Sequence, residues 1–308
     1  MSRVNQSKSC QFLQQLCLLR ISALKNIAVF FLSILLKPSQ PLIALLLSGI
    51  PLASELCAAS TATNPASNDP SSLPISMAIT TKNSITVYEV ARQITVRILG
   101  DSSSGSGVIV KQQQNTYTVL TSAHVVADSP GEGYTILTGD GFIHLAKRLH
   151  IARLKGIDLA LIQFTSSHSY QVAELGNAND VGVGAVVYAT GFPNWRSISI
   201  DIIGNTHNWG LKAFSLTVGR VSIMLNKPLQ EGYQLGYTNE IEGGMSGGPV
   251  LNNQGKLVGI NGRLKYPFQG INAFVFIDGT LPSELLFQQM ETLSWAIPIT
   301  TFQQLTQN

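Results

Sequence analysis

Ser246 lies in the run Gly243-Gly244-Met245-Ser246-Gly247-Gly248-Pro249 and leads directly into the strand-like Val250-Leu251. A turn that pushes a hydroxyl into a cleft, while its own N–H groups face a developing oxyanion, needs backbone angles that glycine reaches at little cost. The run reads either as the seat of a nucleophile or as a plain glycine-rich connection between strands. A serine hydroxyl is a poor nucleophile without an adjacent base, so the first reading requires a histidine. There are five, His124, His144, His150, His168 and His207, and all precede Ser246. Gly244-Met245-Ser246-Gly247-Gly248 also satisfies the G-x-S-x-G nucleophile elbow, but that fold places its histidine after the serine. No histidine follows residue 246, which excludes the elbow and leaves the orders in which the base and the acid come first.

Local context selects among the histidines. His124 follows Tyr117-Thr118-Val119-Leu120-Thr121-Ser122-Ala123, a run that leaves a strand through small residues, so its imidazole can project from a strand end at a cleft. Asp158 opens Asp158-Leu159-Ala160-Leu161-Ile162-Gln163-Phe164, where an acid just ahead of an apolar strand can be partly buried and hold the Nδ1–H of His124. Each residue alone reads as an incidental strand-end or turn residue; together with the glycine-framed serine they read as a triad. His144 and His150 flank Lys147-Arg148 and read as ordinary strand or loop residues.

The elements that must position these groups are short and β-rich. Runs at 94–99, 107–110, 117–121, 134–138, 159–164, 185–189, 197–203, 216–224, 250–251 and 257–260 are separated by turn signals, and no long helical period precedes residue 280. Many short strands at this spacing predict an all-β sandwich or barrel. Pro282–Thr292 carries a helix-like pattern, and 300–307, after Pro298, predicts a terminal helix. Trp195 and Trp209 flank an extended loop over 194–210 that either lines a cleft or caps a barrel.

Composition narrows the class. The chain has 308 residues, of which 44% are hydrophobic and 12% charged, enough to bury a sizeable core. Its net charge of +3 is uneven: Arg3, Lys8, Arg20, Lys25 and Lys37 against Glu55 give residues 1–60 a local excess of +4, so the rest is close to neutral. A nucleic-acid partner is disfavoured. The three cysteines, Cys10, Cys17 and Cys57, also sit in this stretch, so the body has neither disulfides nor a thiolate zinc site, and its histidines lack metal-ligand spacing. Two apolar runs, 27–36 and 42–53, are each too short to span a bilayer. Residues 1–59 therefore read as a signal peptide, with a small-x-small site near Cys57-Ala58-Ala59-Ser60, or as an uncleaved hydrophobic anchor, the one route to a membrane. Residues 60–76, rich in Ser, Pro, Asn and Ala, read as a disordered linker, and 77–308 as one two-part domain. The expected location is the periplasm, a lumen or the exterior.

Four segments, Gly105-Ser106-Gly107-Val108-Ile109, Leu120-Thr121-Ser122-Ala123-His124-Val125-Val126, Asp158-Leu159-Ala160-Leu161 and Gly244-Met245-Ser246-Gly247-Gly248-Pro249-Val250, resemble trypsin-like serine peptidases of the chymotrypsin clan. The resemblance covers about residues 90–265 and is nearest to the disulfide-free bacterial branch of Deg/HtrA type, here without a PDZ-sized region. It implies a double six-stranded β-barrel with a C-terminal helix and an active site between the barrels. It implies, further, a serine endopeptidase acting on proteins or peptides without metal or cofactor: His124 as general base, Asp158 orienting it, Ser246 as nucleophile, and the N–H groups of Gly244 and Ser246 as oxyanion hole. The alternative is a protease-fold module that holds peptides without cutting them.

Departures from the family pattern carry their own expectations. Met245 replaces the aspartate that in digestive trypsins pairs with a freed N-terminus, so the oxyanion loop must be held by other means. Glu240, six residues before Ser246, occupies the position that forms the base of the primary specificity pocket, where an acid would favour Lys or Arg at the cleaved bond. Asn261, in Leu257-Val258-Gly259-Ile260-Asn261-Gly262, lies on a strand similar to the one along which substrate backbone pairs.

Overall fold

Burial along the strands explains the architecture. In β3 (Thr116–Thr121), Tyr117 and Val119 enter one apolar cluster and Leu120 another. In β6 (Ala160–Thr165), Ala160, Ile162 and Phe164 face the first cluster and Leu161 the second. Strands buried on both faces need cover on both, and two barrels packed side by side supply it. The computed structural model describes residues 86–100, 104–127, 133–177, 180–199 and 202–306. The leader, the linker and the three cysteines read from the sequence lie outside the described residues.

The first barrel contains β1 (Thr95–Leu99), β2 (Ser104–Gln113), β3, β4 (Tyr134–Leu137), β5 (Ile143–Leu149) and β6, closed in the order β1-β2-β3-β6-β5-β4. The second contains β7 (Val186–Gly191), β10 (Ser215–Met224), β11 (Leu235–Tyr237), β12 (Pro249–Leu251), β13 (Leu257–Arg263) and β14 (Ser294–Pro298), closed in the order β10-β11-β14-β13-β12-β7. Closure leaves no free sheet edge within either barrel. Between β7 and β10, β8 (Trp195–Ser199) and β9 (Ile202–Asn205) form a separate hairpin, followed by a 3-10 segment, His207–Ala213. What reads as one strand over 197–203 is thus parts of two.

Each barrel has its own core: Val96, Ile98, Ile109, Val119, Ile136 and Ile162 in the first, and Val187, Val221, Leu235, Tyr237, Val250 and Val258 in the second. A third cluster, including Val108, Leu120, Leu161, Leu251, Leu257 and Trp295, joins strands of both barrels. Two helices close the chain, α2 (Glu284–Met290) and α3 (Ile299–Thr306). Ser283 caps α2 by accepting the Leu286 N–H at 3.3 Å, and Ile299 and Phe302 bury one side of α3.

A short helix that was not expected from the sequence, α1, covers residues 86–94, and Ile94, expected to open the strand run 94–99, is its last residue. Val87, Ala91 and Ile94 are its buried residues, at helical spacing. Its β-branched content and its direct run into β1 disguise that period.

Candidate active site

The pairing of β3 with β6 brings two distant residues together. Thr121 at the end of β3 is in register with Ala160 at the start of β6, so the chain leaving one strand meets the chain entering the other. The 3-10 turn Ala123–Val126 is anchored by buried Val125 and Val126, which leaves the His124 side chain half exposed, at 50%, while Asp158 is buried at 7%. His124 Nδ1 lies 2.7 Å from Asp158 Oδ2, and the His124 backbone N–H donates to Asp158 Oδ1 at 2.9 Å. Both carboxylate oxygens are thereby fixed, and the imidazole ring is oriented with Nδ1 protonated and Nε2 outward. Burial alone would lower the His124 pKa. The hydrogen bond and charge of Asp158 outweigh it, with Glu231 adding to them and Arg263 opposing, and the pKa is raised above its ordinary value.

Ser246 lies on the connection between β11 and β12, its Oγ 3.5 Å from the Gly262 carbonyl oxygen. The preceding loop is shaped by Gly244 at φ +101° and Gly247 at φ +83°. A Cβ at Gly244 would lie 2.5 Å from the Phe192 carbonyl oxygen, and one at Gly247 would lie 2.2 Å from the Ser106 carbonyl oxygen, so neither site accepts a side chain. The N–H groups of Met245, Gly247 and Gly248 donate to the carbonyls of Glu242, Asn261 and Met245. Among the described residues, no acceptor takes the N–H of Gly244 or of Ser246. This pattern suits a site that waits for an anion.

Met245 is fully buried in the second core, which leaves no ionic anchor at that position. The loop is instead clamped by Ser106 of β2, itself fully buried. Its N–H donates to the Ser246 carbonyl at 2.8 Å, and its Oγ donates to the Gly244 carbonyl and accepts the Phe192 N–H, each at 2.8 Å. The Asn194 N–H adds a bond to the Gly243 carbonyl at 2.7 Å. Sequence reading included Ser106 in the Gly105–Ile109 motif but assigned it no role.

A cleft of about 390 Å³ opens beside these groups, bordered by His124, Asp158, Tyr233, Gly262, Arg263 and Gln269. Arg263 holds Glu231 at 3.0 Å and lies 4.5 Å over the ring of Tyr233. Tyr233, 75 residues from Asp158 in sequence, donates its hydroxyl to Asp158 Oδ2. No motif pointed to it.

The two candidate substrate contacts are placed differently from the triad. Glu240 is 75% exposed and pairs with Lys265, which also donates to the Thr238 carbonyl at 3.0 Å. Asn261 is fully buried: its Nδ2 donates to the Thr190 carbonyl at 2.9 Å, its Oδ1 accepts the Tyr237 hydroxyl at 2.7 Å, and its backbone pairs with Gly247 and Gly248. It knits the loop behind Ser246 rather than facing the cleft, and the residues that reach the cleft from β13 are Gly262 and Arg263.

Two closed six-stranded β-barrels, with a histidine-carboxylate pair on the first and a glycine-framed serine on the second, define the double-barrel serine peptidase class. Residues 105–260 match the trypsin-like peptidase domain, about half of the chain, and the protein belongs to that family. It is similar to the serine protease Do-like HtrA of Bacillus subtilis (strain 168), 30% identical over 161 residues, 52% of this chain and 33% of that relative. It is also similar to the serine protease HtrA-like of Staphylococcus aureus (strain USA300), 24% identical over 207 residues, 66% of this chain and 23% of the relative. The chain thus spans a third or less of the length of these relatives.

Proposed function

We propose that this chain is a serine endopeptidase that hydrolyses peptide bonds of protein substrates through His124, Asp158 and Ser246. The observation that carries the reading is the Nδ1···Oδ2 contact of 2.7 Å between His124 and Asp158, on a cleft also bordered by Gly262, whose carbonyl oxygen lies 3.5 Å from the Ser246 Oγ. With Asp158 holding Nδ1–H, the lone pair of His124 Nε2 takes the Ser246 hydroxyl proton as Oγ attacks the scissile carbonyl. The resulting oxyanion is received by the N–H groups of Gly244 and Ser246. His124 then gives the proton to the leaving amine, and the acyl-enzyme is released when water repeats the sequence with His124 again as base.

Pairing with Lys265 offsets the charge of Glu240, so cleavage after Lys or Arg draws no support from an uncompensated acid. We assign residues 1–59 to export or anchoring, 60–76 to a linker and 77–308 to the peptidase domain. N-terminal sequencing of the protein recovered outside the cytoplasm checks this division: a start near residue 60 supports a cleaved signal, and an intact start supports an anchor. Activity is tested on an unstructured protein substrate. Wild type is expected to cleave it and Ser246→Ala to lose at least about a thousandfold in rate; equal activity of the two would remove Ser246 from the chemistry.

A further inference from the structure

The carboxylate of Asp158 receives a third donor from the opposite barrel. β10 and β11 are joined by a turn in which the Leu229 N–H donates to the Tyr233 carbonyl at 2.9 Å and the Gly232 N–H to the Leu229 carbonyl at 3.1 Å. Glu231 at φ +67° and Gly232 at φ +94° bend this turn toward the first barrel. There the Glu231 carbonyl accepts the Asp158 N–H at 2.9 Å, while the Tyr233 hydroxyl donates to Asp158 Oδ2, the oxygen that holds His124. One short turn therefore grips the acid at both its backbone and its carboxylate.

A second, independent observation concerns the space for the phenol. A Cβ at residue 262 would lie 2.1 Å from the Tyr233 hydroxyl oxygen and 2.6 Å from its Cε1. Any side chain at 262 would displace the phenol from Asp158. Gly262 thus vacates the volume that Tyr233 fills, and Tyr233 is buried to 2% exposure with its ring covered by the Arg263 guanidinium. Its location is costly for a hydroxyl unless it is bonded, and the bond it makes is to a charged acceptor, the stronger kind.

We propose that Tyr233, admitted by Gly262, is a positioning residue of the triad, donating from the second barrel to the carboxylate that orients His124. Burial first, and the charge of Asp158 second, push the Tyr233 phenol well above its ordinary pKa, so it remains a donor at every working pH. The ionisable groups that face this cluster are His124, Asp158, Glu231 and Arg263. The bond ties catalytic orientation to barrel alignment: a shift between barrels loosens Asp158 and, through it, His124.

The inference rests on the triad reading, and the test separates the two. Full-length wild type, Ser246→Ala, Tyr233→Phe, Gly262→Ala and the double variant Tyr233→Phe/Gly262→Ala are reacted with a fluorophosphonate, and the second-order rate constant is followed against pH. Tyr233→Phe keeps the ring under Arg263 and removes only the donor. Labelling is expected to fall about tenfold above the acid limb, as for loss of a hydrogen bond to a charged group. The limb itself is expected to move to higher pH, because a carboxylate with one donor fewer attracts the imidazolium more strongly. A packing defect alone would not move it. Gly262→Ala is expected to reproduce both changes by displacing the phenol, and the double variant to be no slower than the slower single. Labelled wild type with an unchanged rate and pH profile in Tyr233→Phe overturns this inference alone, as does a double variant whose losses multiply. Wild type that folds but is not labelled overturns the triad reading and this inference with it.

Discussion

Asp158 is the residue on which most of the site converges. It accepts from the His124 backbone, from His124 Nδ1 and from the Tyr233 hydroxyl while 7% exposed. The raised pKa of His124 has a definite pH consequence. A base must be neutral, so kcat/KM is expected to rise with pH through an inflection above the ordinary 6.5; an inflection at or below 6.5 would contradict the His124–Asp158 geometry. For stability the sign is opposite. Protonated His124 is favoured in the folded state, so its contribution is fully present below about 6.5 and is lost as pH rises through the folded value. Ser106 supports the other half of the site. Ser106→Ala removes the donor to the Gly244 carbonyl and the acceptor of the Phe192 N–H in a fully buried setting. Thermal unfolding is expected to show a loss of about 3 kcal/mol, and activity to fall further than the folded fraction does. The contact of His124 with Asp158 and the glycine-shaped loop at Ser246 were legible because strand ends and glycine pairs mark them locally. Tyr233 and the role of Ser106 were not, since each acts through contacts made across a barrel boundary.

At the scale of elements, what was legible depended on which way apolar residues point. β3 and β6 announce themselves because their alternation matches the barrel core. β5 does not, because its pattern is inverted: Ile143 and Leu145 are 67% and 80% exposed, while His144 turns inward to stack on Phe164 at 4.8 Å and meet the Tyr170 hydroxyl at 2.7 Å. Nothing in the sequence of β5 marks its polar face as the inner one. This arrangement predicts a contrast in chemical denaturation. Leu145→Lys is expected to change stability by less than about 0.5 kcal/mol, and Phe164→Ala to cost about 3–5 kcal/mol. β11 and β14 escaped notice for a different reason: both are short and buried throughout, one containing Gly236 and the other ending on Pro298, so neither shows a two-residue period. The glycine-rich loop before Ser246 is itself an element in which an added side chain forces the backbone to shift. Gly244→Ala, at φ +101° and 2.5 Å from a carbonyl oxygen, is expected to yield folded protein with at least about a hundredfold lower kcat, since the displaced N–H no longer meets the oxyanion.

On the scale of the whole molecule, the residues proposed for the chemistry are divided between two barrels. His124 and Asp158 belong to the first, Ser246, Gly244 and Tyr233 to the second, and the bonds of Ser106 to Ser246 and of Tyr233 to Asp158 cross between them. Arg97 of β1 makes a further crossing: buried to 1%, it donates to the carbonyl and hydroxyl of Thr206 at 2.8 and 3.0 Å. The double barrel was legible from strand density and four ordered motifs, whereas the inter-barrel bonds became visible only in three dimensions. The measurement that most directly tests the account is the mass of the full-length protein after exposure to a fluorophosphonate, followed by peptide mapping of the adduct. A single adduct on Ser246, formed by wild type and absent from folded His124→Ala on the same time scale, is the predicted result. An adduct on another residue, or none on folded wild type, would contradict it.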